Sequence, residues 1–322
     1  MITRASRGLS DEQVATFHEQ GYLVVENVFD DADLQPPIDD INAHIDREAR
    51  RLVAEGKLPE DFAEHDFEHR LAKITEHTDE VAVGMWDGRM HGPGFFKLIT
   101  NPKLLDVAES LCGEELIASS VYRLRPKVPS HAKSAVPWHQ DSAYFEPYCD
   151  KALVLTVWLP LVDATQENGC LWVIPESHKG ATVPHHSRPG KPYLAIDEAD
   201  LPDGQAVCCP VPRGGVLLLT NRTVHVSFEN NTDRVRWSMD LRYQNAALPT
   251  NAAISRLPGE SQPAGASADE PQFVPDACYP PEADFLVRST SRPQEVLDSA
   301  EAFARLREQH IRRPVTARWS DA

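Results

Sequence analysis

The chain has 322 residues, of which 41% are hydrophobic and 25% are charged, proportions typical of a globular protein with a sizeable core. Its formal net charge of -17 repels phosphate backbones, which argues against nucleic acid as a partner. No apolar run approaches the roughly 18 residues of a membrane-crossing helix, and no secretory signal is apparent. We therefore expect a soluble, cytoplasmic protein that does not bind membranes, with an oligomeric state that composition does not indicate.

A helix followed directly by a strand is predicted near the start of the chain. Ser10 and Gln13 have the spacing of a capping box, in which each side chain bonds the other residue's backbone N–H. Gly21 is a typical helix-ending residue. The β-branched and aromatic run at 22–25 then favours a strand.

A second helix is predicted from Pro36 to Leu52. The prolines at 36 and 37 are expected in its first turn, and isoleucines then recur every three or four positions. Further helix is predicted across 60–78 and 101–112. The first third of the chain is therefore expected to be helical, apart from the strand at 22–25.

From about residue 116 the pattern changes to short strand-like segments, which predict a β-sandwich or small barrel. These segments span 116–124, 153–161, 170–174, 216–220 and 235–243. Asn168-Gly169, between two of them, is typical of a type I′ hairpin, whose two central residues both need positive φ.

Beyond Tyr243 the chain is rich in Pro, Ser, Ala and Glu, which predicts an irregular segment ending in a helix near 293–311. We expect a single domain with a helical part at 1–115, a β core at 116–245, and an extension at 246–322 that is a candidate lid. The predicted fold class is mainly β with flanking helices (α+β).

Three His-x-Asp triplets occur, and the structure predicted beneath each one separates them. His44 lies inside the second predicted helix, where residues i and i+2 point to different sides. His77 lies in a polar run without apolar neighbours. The triplet His139-Gln140-Asp141 has neighbours that favour extended backbone, namely Pro137, Trp138, Tyr144 and Phe145. In extended chain, residues i and i+2 project from one face, so only this triplet can offer both side chains to one metal ion.

A metal site needs at least one more ligand, and the candidate histidines are His131, His178, His185, His186 and His225. His225 fits best, because it follows the apolar strand at 216–219 and precedes another at 237–243. Two histidines and one carboxylate on a β scaffold form the facial triad of non-haem iron(II) oxygenases, which leaves positions open for a 2-oxoacid and dioxygen. The alternative interpretation is a hydrogen-bonded polar cluster without an ion.

The same chemistry requires a fixed cation that holds the far carboxylate of 2-oxoglutarate. Arginine suits this role, because its planar guanidinium matches a carboxylate and keeps its charge. Arg234, Arg236 and Arg242 share one face of a predicted strand, and the pattern does not choose among them. A structural salt bridge is the alternative role for Arg236.

At this point the sequence resembles the phytanoyl-CoA dioxygenase family of iron(II)/2-oxoglutarate oxygenases, from Leu9 to Tyr243. The most specific motifs are HQDSAYFEP (139–147), Trp158 with ENGCLWVIPESHKG (167–180), and HVSFENNTDRVR (225–236). One departure is Glu176, where the family usually has the glycine of Pro-Gly-Ser-His. This affects a turn and not the metal, because His178 is not a ligand in the family pattern.

The resemblance implies a double-stranded β-helix (jelly-roll, cupin-like) core with N-terminal helices. It implies an iron(II) site formed by His139, Asp141 and His225. It also selects Arg236 as the anchor of 2-oxoglutarate, because the family's arginine lies eleven residues beyond the distal histidine, and it places the hydroxyl of Ser227 beside the cosubstrate.

Two further positions match residues that line the site in the family, Trp158 and Gln140, although Trp158 fits a core position equally well. Gln140, Tyr144 and Phe145 lie beside the predicted ligands and are expected to line the substrate pocket. His178 is expected to cap a turn, and His185 with His186 to lie in a solvated loop.

The expected activity is that of a dioxygenase using Fe(II), 2-oxoglutarate and O2. It would hydroxylate an unactivated C–H bond of a small, partly apolar metabolite, with succinate and CO2 as coproducts. Asp141 argues against the halogenating variant of this chemistry, which has a small residue in its place, whereas desaturation and ring formation are not distinguished. The alternatives are a non-catalytic metabolite-binding or regulatory protein, and a cupin-type enzyme with another metal and no 2-oxoglutarate dependence.

Overall fold

The computed structural model describes residues 8–86, 90–119, 123–130, 134–145, 147–186, 193–248 and 284–309. The described helices are α1 (Asp11–Gln20), α2 (Asp31–Ala54), α3 (Arg70–Thr75), α4 (Glu80–Trp86), α5 (Pro93–Ile99), α6 (Pro102–Cys112) and α7 (Ala300–Gln309). The described strands are β1 (Tyr22–Val25), β2 (Leu116–Ser119), β3 (Arg123–Lys127), β4 (Val136–His139), β5 (Val154–Pro160), β6 (Leu171–Val173), β7 (Val207–Cys209), β8 (Val216–Thr220), β9 (His225–Ser227), β10 (Arg236–Asn245) and β11 (Asp284–Arg288).

Helix α1 begins and ends where its capping residues predict. The Ser10 hydroxyl accepts a hydrogen bond from the Gln13 backbone N–H, and the Gln13 side chain accepts one from the Ser10 N–H. Gly21 ends the helix with a left-handed φ of 81°. Both ends of this helix are therefore determined by local hydrogen bonds that the sequence makes visible.

Two predicted helix boundaries are wrong, and hydrogen-bonding aspartates explain both. Helix α2 begins at Asp31 and not at Pro36, because Asp30 and Asp33 form a reciprocal capping box upstream. Within 60–78 the structure has an α-helix only at Arg70–Thr75. In the turns before α3, the side chains of Asp61 and Asp66 accept hydrogen bonds from backbone N–H groups. These bonds compete with helix formation.

The described strands form two antiparallel sheets. The larger one has the order β1-β8-β5-β10-β2-β11, with β3 paired to β10, and the smaller one has the order β4-β9-β6-β7. Together with the helices, this arrangement confirms the predicted mainly β fold with a double-stranded β-helix core. The helices pack on one face of the larger sheet, in a cluster that includes Phe17, Ile41, Leu104, Trp237 and Tyr243.

Alternation along the strands of the larger sheet separates two environments. In β10, Trp237, Met239, Leu241 and Tyr243 face the helices. The intervening residues Arg236, Ser238, Asp240 and Arg242 face the interior between the sheets. Part of that interior is apolar, formed by Trp158, Leu217 and Leu219 of the larger sheet with Leu171 and Val173 of the smaller one. The rest of it is polar and contains the site described below.

The predicted hairpin at Asn168-Gly169 is wrong. Strand β5 lies in the larger sheet and β6 in the smaller one, so the turn carries the chain from one sheet to the other. Gly169 has a φ of 80°, whereas Asn168 is not among the residues with positive φ. The Asn168 side chain instead accepts from the Thr165 N–H and donates to the Asp163 carbonyl, which stabilises this different turn.

The predicted extension at 246–322 contributes an edge strand, since β11 pairs with β2 in the larger sheet. The C-terminal helix α7 starts at Ala300, and a short 3₁₀ turn occupies Pro293–Glu295. Residues 249–283 and 310–322, where the lid was predicted, lie outside the described residues, and the division at 115 and 245 stays a prediction. In the described part of the chain, no helix has the length and apolar character needed to cross a bilayer.

Candidate metal and cosubstrate site

The predicted triad comes together in the smaller sheet. His139 at the end of β4 lies opposite His225 at the start of β9, and their ring centroids are 4.1 Å apart. Asp141 follows two residues later, with its Oδ1 atom 3.8 Å from His139 Nε2. One ligand atom from each residue lies within 4.8 Å of the others, and all three residues are buried.

Both imidazoles are oriented by their own backbone. The Nδ1 atom of His139 is 2.8 Å from the Pro137 carbonyl oxygen, and that of His225 is 2.9 Å from the Thr223 carbonyl oxygen. A carbonyl oxygen only accepts, so Nδ1 carries the proton in each ring and Nε2 offers a lone pair. This is the tautomer that a metal ligand requires.

The larger sheet holds the carboxylate of Asp141. Thr156 on β5 and Arg242 on β10 lie opposite each other in register. The Thr156 hydroxyl donates to Asp141 Oδ2 at 2.5 Å, and Arg242 Nη2 is 3.2 Å from the same oxygen. The other oxygen, Oδ1, is left facing the histidines, so the carboxylate has one oxygen for orientation and one for a metal.

The protonation states also suit a metal. Burial, and then the nearby His225, hold the pKa of His139 well below its ordinary value, so its imidazole is neutral at neutral pH. Burial alone would raise the pKa of Asp141, but Arg242 and the two histidines outweigh it and lower that pKa. Neutral imidazole and ionised carboxylate are the forms that bind metal ions.

The other two His-x-Asp triplets do not form such a cluster. His44 contacts the Arg47 side chain, while its partner Asp46 pairs with Arg70. His77 stacks on Phe62 with ring centroids 5.5 Å apart. The triplet at 139–141 is thus the one whose histidine and aspartate approach a common point.

The remaining candidate histidines have other surroundings. The Nε2 atom of His178 lies 3.0 Å from the His18 carbonyl at the end of α1, so it contacts a distant helix, and its predicted role in capping a turn stays a prediction. His185 is fully buried, contrary to the predicted solvated loop, and accepts a hydrogen bond from the Gln140 N–H. His186 lies within reach of Asp197 and Asp200 in a partly exposed group. His131 lies outside the described residues.

Arg236 forms a second buried group with the residues predicted to bind the cosubstrate. Its Nη2 atom donates to the Gly169 carbonyl at 3.2 Å and to the Ser227 hydroxyl at 3.3 Å. Its guanidinium lies over the Trp158 ring, 5.0 Å from the centroid. The rival arginines have different environments, because the Arg234 side chain is 50% exposed and Arg242 contacts Asp141.

One atom of this group lacks a partner. The Nε atom of Arg236 is buried and has no hydrogen-bond partner in the part of the chain that the structure describes. Burial lowers the pKa of Arg236 to about 10, so the side chain is still cationic at neutral pH. A buried cation with an unpaired donor is costly unless an anion binds there. The site therefore fits an anionic ligand.

The two groups lie next to each other. Ser227 is two residues beyond His225 on β9, so their side chains project from one face about 7 Å apart. A diacid held by Arg236 at one end can thus reach the triad with its other end. The residues present fit both a metal ion and 2-oxoglutarate.

The three residues predicted to line the substrate pocket differ from one another in their surroundings. The Tyr144 ring lies 6.1 Å from the His139 ring, and Phe145 packs 5.6 Å from the Arg242 guanidinium. Gln140 is fully buried, and its side-chain amide bonds the Val183 N–H and the Arg222 carbonyl. Its place in a substrate pocket stays a prediction.

Sequence reasoning missed Thr156 and Gly169 as residues of the site, and it named Arg242 only as a candidate anchor of 2-oxoglutarate. Thr156 and Arg242 orient Asp141, and the Gly169 carbonyl accepts from both Arg236 and Ser227. Sequence offers a weak signal for Arg242, which shares a strand face with Arg236. The other two are brought to the site only by the pairing of distant strands.

A double-stranded β-helix that carries two histidines and one carboxylate on its interior defines the class of non-haem iron oxygenases. The sequence profile of the family described as Phytanoyl-CoA dioxygenase (PhyH) matches residues 17–238. The chain therefore belongs to the phytanoyl-CoA dioxygenase family and is a 2-oxoglutarate-dependent, non-haem iron enzyme.

Individual relatives agree with this assignment. Phytanoyl-CoA dioxygenase domain-containing protein 1 of Danio rerio is 33% identical over 275 residues, covering 71% of this chain and 87% of its own. The protein of the same name from Mus musculus is 28% identical over 275 residues, covering 74% and 91%. The solved structure of the non-heme monooxygenase ThoJ in its apo form is 20% identical, with a TM-score of 0.56 and coverage of 94% and 95%, and it shows a shared fold.

Proposed function

We propose that this protein is an Fe(II)/2-oxoglutarate-dependent dioxygenase that hydroxylates an unactivated C–H bond of a small metabolite and releases succinate and CO2. The observation that carries the proposal is the buried Arg236, with its unpaired Nε, next to the triad of His139, Asp141 and His225. A metal triad alone occurs in many kinds of enzyme. A triad beside a buried cation can bind a diacid, with one end on the metal and the other on the cation.

Within this proposal, Nε2 of His139, Nε2 of His225 and Oδ1 of Asp141 would hold the metal. Bound iron(II) supplies the activation of dioxygen that couples oxidative decarboxylation of 2-oxoglutarate to oxidation of the substrate. The hydrogen bonds that involve Pro137, Thr223 and Thr156 fix the three ligand atoms before the metal binds, because each one constrains a side-chain orientation.

Arg236 and Ser227 hold the far carboxylate of 2-oxoglutarate. The unpaired Nε of Arg236 gains an acceptor, and its Nη2 already points toward the Ser227 hydroxyl. Trp158 covers the guanidinium and excludes water, which strengthens the charge-assisted hydrogen bonds. The cosubstrate is thereby oriented with its 2-oxoacid end toward the triad.

Tyr144 and Phe145 line the substrate side of the metal in this proposal. Asp141 keeps a carboxylate on the metal, which favours hydroxylation over halogenation. We further propose that the protein acts in the cytoplasm on a small molecule.

Succinate formation tests the proposed function. We expect the purified protein to convert 2-oxoglutarate to succinate only with Fe(II) and O2, and to do so faster when a metabolite library supplies a substrate. Asp141→Ala is expected to abolish turnover, because a metal ligand is lost. Asp79→Ala is the matched control, since it alters a His-x-Asp triplet outside the site.

Three results would contradict the proposal in different ways. Binding of 2-oxoglutarate without succinate under any condition would indicate a non-catalytic metabolite-binding protein. Oxygen consumption that does not depend on 2-oxoglutarate would indicate a cupin-type enzyme. A product that is dehydrogenated or cyclised, identified by mass spectrometry, would replace hydroxylation by another oxidation.

A further inference from the structure

We propose that the substrate of this enzyme carries a carboxylate and that Arg125 binds it. The inference rests on the proposed function, since it concerns the substrate of the same site. It is carried by Arg125, Asp240, Tyr193 and Tyr144, which we call the Arg125 group. These four side chains are distinct from the proposed metal ligands and from the proposed anchor of 2-oxoglutarate.

Arg125 is fixed in place with part of its guanidinium unused. It lies on the inner face of β3, where its Nε donates to Asp240 Oδ2 at 2.9 Å and its Nη1 donates to the Tyr193 hydroxyl at 3.3 Å. In the region that the structure describes, Nη2 makes no hydrogen bond to the protein. One amino group of a pre-oriented guanidinium is therefore available to a ligand.

The Arg125 side chain is partly accessible. It interacts electrostatically with Asp240, Tyr193 and Tyr144. The accessible fraction of the side-chain surface is 25% for Arg125 and 15% for Asp240. A ligand can therefore reach the Arg125 group.

Two sets of contacts connect the Arg125 group to the metal triad. On one side, the Tyr144 ring lies 6.1 Å from His139, and its hydroxyl accepts from the Leu194 N–H, next to Tyr193. On the other side, Asp240 precedes Arg242 by two residues on the same face of β10, and Arg242 contacts Asp141. The Arg125 group is therefore connected to the triad through Tyr144 and through β10.

The charge of the interior favours an anion. The inner faces of β3 and β10 carry three arginines, namely Arg125, Arg236 and Arg242. The carboxylates facing these arginines are, among the described residues, Asp240 and Asp141. Iron(II) and the 2-oxoglutarate dianion balance each other, so binding them leaves this positive excess in place. The described part of the interior is thus locally positive in a chain of net charge -17.

A carboxylate suits the Arg125 group better than a phosphate monoester. The single Nη2 group of Arg125 provides few donors, which suits a planar monoanion. Asp240 also repels a second negative charge close to Arg125. We infer that the substrate places its carboxylate on Arg125 and the C–H bond to be oxidised toward the triad.

A matched panel tests this inference. Small monocarboxylic acids, each paired with its primary amide and the alkyl phosphate of the same chain, are added to the enzyme with Fe(II), 2-oxoglutarate and O2, and succinate is measured. We expect acids to stimulate turnover and their amides and phosphates not to. Arg125→Gln should raise the KM for a stimulating acid by about 10-fold to 100-fold, the loss of one charge-assisted hydrogen bond.

Two variants and one control complete the design. Arg125→Lys should recover part of the affinity for the acid, because the charge remains and the planar fork is lost. Tyr193→Phe should raise the KM several-fold, since it releases the Nη1 contact, and it replaces Arg125→Gln if that variant does not fold. Arg234→Gln, which removes an exposed charge near the start of β10, should retain the wild-type KM.

The outcomes separate this inference from the proposed function. Equal stimulation by acids and amides, stimulation by no acid, or a wild-type KM in both Arg125→Gln and Tyr193→Phe would overturn it. Stimulation by phosphates alone would reassign the substrate to another class of anion and equally overturn it. A wild-type protein that neither binds 2-oxoglutarate nor forms succinate contradicts the proposed function itself.

Discussion

Arg236 is a functional candidate because of its surroundings and not because of its residue type. Two other arginines were candidates for the same role, yet Arg234 is half exposed and lies before β10, and Arg242 is paired with Asp141. Arg236 is 2% exposed and keeps a buried donor without a partner among the described residues. At the scale of single residues, this missing partner is the feature that most directly indicates a ligand.

The role of Arg236 predicts a defect in cosubstrate binding. Arg236→Gln should weaken the affinity for the cosubstrate by about 10-fold to 100-fold, because a charge-assisted hydrogen bond contributes roughly 1.5–3 kcal/mol. The succinate assay, with the cosubstrate concentration varied, measures the change. Arg234→Gln is the matched control and should keep the wild-type affinity. A normal affinity in Arg236→Gln together with a weakened one in Arg242→Gln would assign the anchor to Arg242.

Glu176 adopts a backbone conformation that L-residues rarely take. Its φ is 62°, at the position where the related Pro-Gly-Ser-His turn has glycine. The turn is fixed on both sides, since the Glu176 N–H donates to the Gln20 carbonyl and His178 contacts the end of α1. The left-handed conformation is therefore imposed by tertiary contacts and costs free energy.

Replacing this residue with glycine should stabilise the protein. Glu176→Gly is expected to raise the free energy of unfolding by about 0.5–1 kcal/mol, because glycine tolerates positive φ and part of the gain is offset by backbone entropy. Urea unfolding measures the change. Glu176→Gln is the control for the exposed ion pair with Lys179, and it should leave stability near wild type. A loss of stability in Glu176→Gly would mean that the turn is not strained.

At the scale of elements, the turn between β5 and β6 links the fold to the cosubstrate site. Gly169 has a φ of 80°, and its carbonyl accepts hydrogen bonds from both Arg236 and Ser227. A Cβ atom at this position would lie 2.7 Å from the Phe228 carbonyl oxygen and 2.8 Å from the Lys127 side chain. The turn therefore requires glycine for two reasons, backbone conformation and close packing.

These two reasons can be separated by experiment. Gly169→Ala should lower the free energy of unfolding by roughly 2 kcal/mol or more, because positive φ and overpacking both disfavour it. Gly56→Ala is the matched control, with a φ of 71° and open space around its Cβ position, and should lose only about 1 kcal/mol. Gly169→Ala should also weaken 2-oxoglutarate binding, as measured by calorimetry. Equal stability losses in the two variants would contradict the packing argument.

At the scale of the whole molecule, both sheets contribute to the same site. His139 and His225 come from the smaller sheet, whereas Thr156, Arg236 and Arg242 come from the larger one. A ligand that bridges these residues binds the folded state and not the unfolded chain. Binding at the site is therefore coupled to global stability.

This coupling predicts a ligand-dependent unfolding temperature. Mn(II) with 2-oxoglutarate at about 100 times the dissociation constant should add about 2.7 kcal/mol to the free energy of unfolding. We expect the unfolding midpoint in a thermal scan to rise by about 4 °C. A chelator should remove the increase, and Asp141→Ala should not show it. The same increase in Asp141→Ala would place the binding elsewhere.

Several features of this protein are fixed by residues that are close in sequence. The capping box of α1 and the spacing of His139 and Asp141 depend on contacts two to four residues apart, so local patterns predict them. The third residue of the triad was also favoured by local context, since His225 lies between two apolar runs. Local patterns failed where side chains compete with helix formation, as Asp61 and Asp66 do before α3.

Only the tertiary structure decides which distant residues meet in the interior. The environments of Arg236 and Arg242 depend on the register of β10 with β3 and β5, and Thr156 reaches Asp141 because β5 joins the larger sheet. The turn at Gly169 was mispredicted as a hairpin for the same reason. Sequence alone predicted the residues of the triad and much of the secondary structure, because these follow largely from short-range patterns. Strand partners were decided by the burial of both sheets around one interior, which no short stretch of chain encodes.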